Sequence, residues 1–326
     1  MTVTRREVLG LFALGAIAGR ARSAGGAVEE PALPATGGGR RPEHPMEKMR
    51  TRPIPSTGEE LPVIGMGTWR TFDVSPGDAG KLGTLRDVVK RLFDAGGRVI
   101  DSSPMYGRAE EVVGHVVSPS SRPFLATKVW TSGRDEGIAQ MQRSMKLMWP
   151  SGSGRPFDLM QIHNLVDWRT HAATLKEWKA AGTIRYWGIT HYTTSAFDEM
   201  ERIVKTEKPD FVQIPYSVGV RDAEQRLLPA CAEAKVGVIV ERPFEAGSLF
   251  RDVAKRPLPS WAEEIDCTSG AQIFLKFILP HPAITCPIPA TSNPEHMADD
   301  VRAGFGPLPD QSFRRRIVAE LTGGNR

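Results

Sequence analysis

Short apolar runs alternate with helix-length amphipathic segments from residue 63 to residue 303. Val63–Thr68, Arg98–Ser103, Phe124–Trp130, Phe157–His163, Ile184–Thr190, Phe211–Ile214, Val236–Val240 and Ala283–Ile288 make eight such runs. They are rich in branched and aromatic side chains, and the early ones follow Gly or Pro, which is the pattern of buried strands. Segments 82–95, 108–117, 134–148 and 168–181 between them, and 194–205, 222–234, 269–279 and 294–303 further on, carry helical periodicity. Strand followed by helix followed by strand requires parallel pairing through crossovers. Closure of eight such units predicts an α/β protein of the (β/α)8, or TIM-barrel, class. In that architecture the chemistry sits at the C-terminal ends of the strands.

Asp101, Lys128 and His163 close three of the runs, and Tyr106 lies in the loop after the first of these. Taken singly, each has an ordinary reading as a helix cap, a surface charge, a core histidine or a loop aromatic. Their joint placement at strand ends supplies a set of groups able to protonate a carbonyl oxygen. A free tyrosine has a pKa of ~10, so acid catalysis near neutrality calls for a neighbouring cation, and a unit charge at ~4 Å with an effective dielectric of ~20 is worth ~4 kcal/mol. Lys128 is that cation in this reading, Asp101 holds it in place, Tyr106 is the acid and His163 orients the oxygen.

The segment Asp101-Ser102-Ser103-Pro104-Met105-Tyr106-Gly107, followed by Glu110 or Glu111 and by Gly114, resembles the signature of the aldo/keto reductases. Thr127-Lys128, Gln161-Ile162-His163-Asn164 and Gly65-Met66-Gly67-Thr68-Trp69 resemble further motifs of that family, so the likeness runs from about residue 50 to about 303. The resemblance implies a carbonyl reductase using NADP, with NAD as the alternative, on a small-molecule aldehyde or ketone. It assigns the carboxamide of the cofactor to Thr190, His191 and Gln213, and the ring stacked on nicotinamide to Tyr216. Pro243, Gly247, Ser248 and Leu249 fall in its pyrophosphate segment. Thr291, Ser292, His296 and Asp300 fall in the loop and helix that take the adenosine phosphate. Two of those positions depart from the family pattern, because Ala290 and His296 stand where it has Lys and Arg. Trp69 and Trp130 are expected to wall the substrate.

Composition and residue spacing add four limits. With 326 residues and 40% hydrophobic content the chain can bury one barrel core, and its net charge of +4 calls for no nucleic-acid partner. Cys231, Cys267 and Cys286 lack motif spacing and read as buried thiols. No His, Cys, Asp or Glu cluster has metal-ligand spacing, so no metal is expected.

Residues 1–27 carry Arg5-Arg6 ahead of the short apolar run Gly10–Gly19, the order found in a twin-arginine signal peptide, with cleavage after Ala24 or Ala27. Residues 28–45 read as a flexible linker and 46–326 as the barrel domain. The expected address is the periplasm, reached through the twin-arginine export machinery, with no membrane span after processing. A second reading fits that address: an exported cofactor-binding redox sensor or regulatory protein of the same fold, without efficient turnover.

Overall fold

The computed structural model describes residues 48–152, 154–253 and 256–321. The signal peptide and the linker expected for 1–45 lie outside the described residues. Eight parallel strands form one sheet in chain order: β3 (Met66–Gly67), β4 (Val99–Asp101), β5 (Phe124–Val129), β6 (Phe157–His163), β7 (Ile184–Thr190), β8 (Phe211–Pro215), β9 (Gly237–Glu241) and β10 (Ile284–Pro287). Gly65 N–H donates to the Pro287 carbonyl at 3.1 Å and Gly67 N–H to that of Pro289 at 2.9 Å, which joins the first strand to the last and closes the barrel. The (β/α)8 architecture is therefore present. The front strand is shorter than its six-residue apolar run suggests, and close neighbours require glycine on either side of Met66. A Cβ on Gly65 would lie 2.7 Å from the Val99 Cβ, and one on Gly67 would lie 3.1 Å from the Ile288 oxygen.

A hairpin not anticipated from the sequence, β1 (Thr51–Pro53) paired antiparallel with β2 (Glu60–Pro62), plugs the end of the barrel where the strands begin. Its Ile54 and Leu61 join Val99, Phe124, Leu159, Tyr186, Phe211, Ile239 and Cys286 in a cluster of inward-facing side chains. Tyr186 donates its hydroxyl to Glu59 at 2.6 Å, so the one polar tip in that cluster is satisfied. With this end sealed, the opposite end is left for the site.

Helices cover the outside: α1 (Ala79–Asp94), α2 (Ala109–Val116), α3 (Arg134–Met148), α4 (Trp168–Ala180), α5 (Phe197–Glu207), α6 (Leu227–Ala234), α7 (Ser248–Val253), α8 (Gly270–Ile278), α9 (Pro294–Asp300) and α10 (Gln311–Leu321). In α1 the buried residues Leu82, Leu85, Val88, Val89 and Leu92 recur at helical spacing, and Asp78 caps its start by accepting from Lys81 N–H at 3.0 Å. The segment expected as one helix over 222–234 is split into a short 3-10 turn at Asp222–Glu224 and α6. Pro229 explains the break, since its missing N–H and ring are tolerated only in a helix's first turn. Gly114, part of the signature, packs α2 onto α3 so closely that any Cβ there would collide with the Leu147 carbonyl. The three cysteines are free and buried, and burial pushes the thiols of Cys231 and Cys267 up to about 12.

Candidate active site

Asp101 ends β4, Lys128 stands one residue from the end of β5, and His163 ends β6, so three neighbouring strands deliver them to the open end of the barrel. Lys128 and Asp101 are fully enclosed and form an ion pair with Nζ to Oδ2 at 2.5 Å. Two amides complete the shell of that carboxylate. Gln161 Nε2 donates to Oδ1 at 3.0 Å and Gln213 Nε2 to Oδ2 at 3.1 Å. Lys128 also donates to the Ser102 carbonyl at 2.8 Å, and Thr68 Oγ1 donates to the Asp101 carbonyl at 3.0 Å. A buried charge pair is stable only with hydrogen-bonding partners around it, and here both Asp101 oxygens and two of the three Lys128 N–H groups have them.

Tyr106 follows in the loop after β4 and packs edge-on against His163, with ring centroids 5.8 Å apart and Lys128 Nζ 5.2 Å from the tyrosine centroid. The four expected residues therefore form one cluster. The electrostatics differ from the sequence expectation in one respect. Burial, then the anionic Asp101 and Glu241, hold the Tyr106 hydroxyl well above its ordinary value. The Lys128 charge is taken up by Asp101, so the tyrosine is kept firmly protonated. Burial, reinforced by Lys128 and His191, holds His163 well below the usual imidazole value, so this ring is neutral near pH 7. Ser103 Oγ lies 2.9 Å from His163 Nδ1 and accepts from Met105 N–H at 3.3 Å. A Ser103 hydroxyl that donates to Nδ1 leaves the ring proton on Nε2, the tautomer in which that atom is a donor.

Around this cluster, Gln161 Oε1, Gln213 Oε1, Thr190 Oγ1 and Glu241 Oε1 are buried without hydrogen-bond partners. Unsatisfied buried acceptors and hydroxyls at the C-terminal ends of the strands mark the place of an incoming polar group. A carboxamide, with two donors and one acceptor, fits the Gln213, Gln161 and Thr190 set. His191 accepts from Thr193 N–H through Nδ1 at 3.2 Å and stacks on Tyr192 with centroids 5.5 Å apart. It therefore offers only an Nε2–H donor where an asparagine would offer both a donor and an acceptor.

Tyr216 is not available to stack on a nicotinamide ring. Gln213 faces the barrel interior, and Tyr216, three residues on, faces outward. Its ring packs on Phe277 of α8 at 6.0 Å, and its hydroxyl bonds Glu224 and Arg314. The 243–249 loop also departs from expectation. Gly247 has φ +88°, but its N–H donates to the Phe244 carbonyl and that of Ser248 to the Glu245 carbonyl, so neither donor points at a phosphate site. Glu245 additionally accepts from the hydroxyls of Ser217 at 2.6 Å and Ser248 at 3.4 Å. Pro243 and Leu249 are buried and shape this turn.

At the adenosine end, Thr291 is buried and accepts from Asn293 N–H at 3.0 Å, Ser292 is exposed, and Asn293 caps α9 by accepting from Glu295 N–H at 2.9 Å. His296 is partly exposed one turn in, and Asp300 is buried. Arg91 of α1 pairs with Glu295 at 2.9 Å and brings to this end a cation that the sequence reading missed. Trp130 lies 6.5 Å from His163 by ring centroid, suited to wall a substrate. Trp69 is 40% exposed on the rim, with Arg70 over its ring. Among the described residues no group of three or more His, Cys, Asp or Glu side chains is placed to hold a metal ion.

The model of the aldo/keto reductase family matches residues 63–317. The chain belongs to the aldo/keto reductase family. Among curated relatives, it is 25% identical over 258 residues to the methylglyoxal reductase YeaE of Escherichia coli, covering 76% of this chain and 88% of that one. It is 28% identical over 261 residues to an NAD/NADP-dependent indole-3-acetaldehyde reductase of Schizosaccharomyces pombe, covering 76% and 87%. Among solved structures, an aldo-keto reductase of Klebsiella pneumoniae in complex with NADPH superposes with a TM-score of 0.67 at 23% identity, over 82% of this chain and 94% of that one. At that identity the likeness establishes the barrel fold.

Proposed function

We propose that this aldo/keto reductase reduces the carbonyl of a small aldehyde or ketone at the mouth of its barrel, with NADPH or NADH as the hydride donor. The observation that carries this reading is the single cluster of Tyr106, His163 and the buried Lys128–Asp101 pair beside orphaned carboxamide partners. The relatives named for reduction of methylglyoxal and of indole-3-acetaldehyde support that substrate class and extend it from small polar to aromatic carbonyls.

When bound, the nicotinamide supplies the hydride, which no side chain can carry. Gln213, Gln161, Thr190 and the His191 Nε2–H are the groups that would hold its carboxamide. Nε2–H of His163 and the Tyr106 hydroxyl converge on the carbonyl oxygen, polarise it, and share the developing negative charge. Tyr106 then transfers its proton to that oxygen, and the Lys128 ammonium beside it offsets the charge left behind. Asp101, locked by two glutamines and Lys128, fixes the direction of the ammonium. Trp130 and Trp69 cover the carbon side with apolar surface. NADPH deuterated at the transferring position tests the reaction directly: the label is expected on the carbinol carbon of the alcohol, and label found in solvent or retained by the cofactor would refute hydride transfer.

A preference for NADPH over NADH is expected to be weak, because His296 stands where a permanent cation would hold the 2'-phosphate. His296→Arg is expected to raise that preference about tenfold, or ~1.4 kcal/mol, read from fluorescence titration of both reduced cofactors. No change in preference would assign the phosphate to another cation, such as Arg91.

We further propose export through the twin-arginine route to the periplasm, on the strength of Arg5-Arg6 before the apolar run. That route carries folded proteins, so a cofactor acquired in the cytoplasm would travel inside the barrel. Arg5→Lys/Arg6→Lys is expected to leave the protein in the cytoplasmic fraction at full length. Unaffected export of the double variant would contradict the assignment.

A further inference from the structure

Glu241 has no place in the mechanism above. It ends β9, paired in register with Pro215 of β8. Ile239, two residues earlier, faces the barrel interior, so the strand alternation turns Glu241 inward at the catalytic end. Its Oε1 is buried and has no hydrogen-bond partner. The charged groups that face it are Lys128 and Asp101, with Arg242 next to it in the chain, and Tyr106 in turn feels its charge. Lys128 and Asp101 neutralise each other at 2.5 Å, so an ionised Glu241 is left with only the solvent-exposed Arg242 to offset it. Such a group is unstable unless a cation arrives to face it.

The cofactor reading above provides one. A nicotinamide ring is neutral when it carries the hydride and bears a unit positive charge once it has given the hydride up. Hydride transfer requires that ring within ~3–3.5 Å of a carbonyl carbon whose oxygen is held by Tyr106 and His163. Glu241 acts on the same Tyr106 from within the same enclosed end of the barrel. We propose that the Glu241 carboxylate is the counter-charge of the oxidised nicotinamide ring, so that this site distinguishes the two redox states of its cofactor by charge. The inference rests on the proposed use of NADPH or NADH.

Burial, countered by Lys128 and Arg242 and reinforced by Asp101, pushes the Glu241 carboxyl up to about 7. Below that pH the group holds a proton, which the oxidised ring must displace in order to bind. Above it, the anion is already present. The neutral reduced ring displaces no proton, so its affinity lacks this dependence. Both redox states share the adenosine phosphates, so the ratio of their affinities cancels His296, Arg91 and the 2'-phosphate.

The test is a fluorescence and calorimetric titration of the purified full chain with NADP+ and with NADPH at pH 6 and pH 8. The ratio of Kd for NADP+ to Kd for NADPH is expected to fall about tenfold from the lower to the higher pH, as one carboxyl titrating near 7 requires. In Glu241→Gln, which keeps shape and removes charge, the ratio is expected to stay flat at its higher value. A flat ratio in the wild type, or the same fall in Glu241→Gln, would overturn the inference while leaving cofactor use intact. Failure of both nucleotides to bind would overturn the cofactor reading together with it.

Discussion

Tyr106→Phe is expected to lower kcat for aldehyde reduction by about a hundredfold or more, with the affinity for NADPH changed little. The substitution removes one oxygen and keeps the ring that packs on His163 at 5.8 Å, so the site retains its shape. What it loses is the proton. Burial, Asp101 and Glu241 hold that hydroxyl well above its ordinary value, so in the resting site it is a donor. In the variant, His163 Nε2–H still polarises the carbonyl, but it must then supply the proton from a ring whose own acidity is not matched to that task. Steady-state rates with methylglyoxal and a fluorescence titration with NADPH check both halves. Turnover like that of the wild type would remove Tyr106 from the reaction.

Lys128→Met carries the second large effect, because it acts on stability and on chemistry together. The ammonium has no exposure and lies 2.5 Å from Asp101. Removing it leaves the carboxylate buried with only the neutral donors Gln161 and Gln213. Breaking a buried pair from one side costs about 3–5 kcal/mol, to be read as a lower urea midpoint at unchanged slope. Adding Asp101→Asn should recover part of that stability and none of the turnover, because the neutral pair no longer strands a charge but also supplies no cation beside Tyr106. In the single variant the tyrosine faces Asp101 and Glu241 with nothing to offset them. Any alkaline loss of activity that reports its ionisation should therefore move upward or vanish. An unchanged pH profile would mean that another group sets the acid's strength.

The strands were most legible where a buried run is bounded by turn formers on both sides. Phe157–His163 and Ile184–Thr190 begin and end where the apolar runs do, and both stand in the middle of the sheet. The clustering of Asp101, Tyr106, Lys128 and His163 was legible for a related reason, since each stands at or just beside the end of a strand and barrel topology then forces convergence. Closure of the barrel and the bottom plug were not. Gly65 and Gly67 carry the closing hydrogen bonds without lengthening the strand, and the hairpin around Pro55-Ser56-Thr57-Gly58 has too few apolar residues to announce itself. Tyr216 was misplaced because its spacing from Gln213 puts it on the opposite face of the chain, a parity that outweighs its family-like position. Glu241 was hidden because it stands one residue past the apolar run Val236–Val240, and only the closed sheet brings it to Asp101 and Lys128. Gln161, the second amide on Asp101, was in plain view inside the histidine motif. The signal that marked it was the rule of alternation, since it shares a face with His163 and Leu159 on β6.

The most direct measurement mixes wild-type protein with a large excess of NADPH and methylglyoxal and follows cofactor absorbance from the first turnover onward. The account predicts an initial oxidation of bound cofactor followed by steady consumption of many equivalents per site, with the corresponding alcohol accumulating in step. A single equivalent oxidised and no further change, or no oxidation at all, would contradict a turning-over carbonyl reductase and favour a protein that holds its cofactor as a sensor.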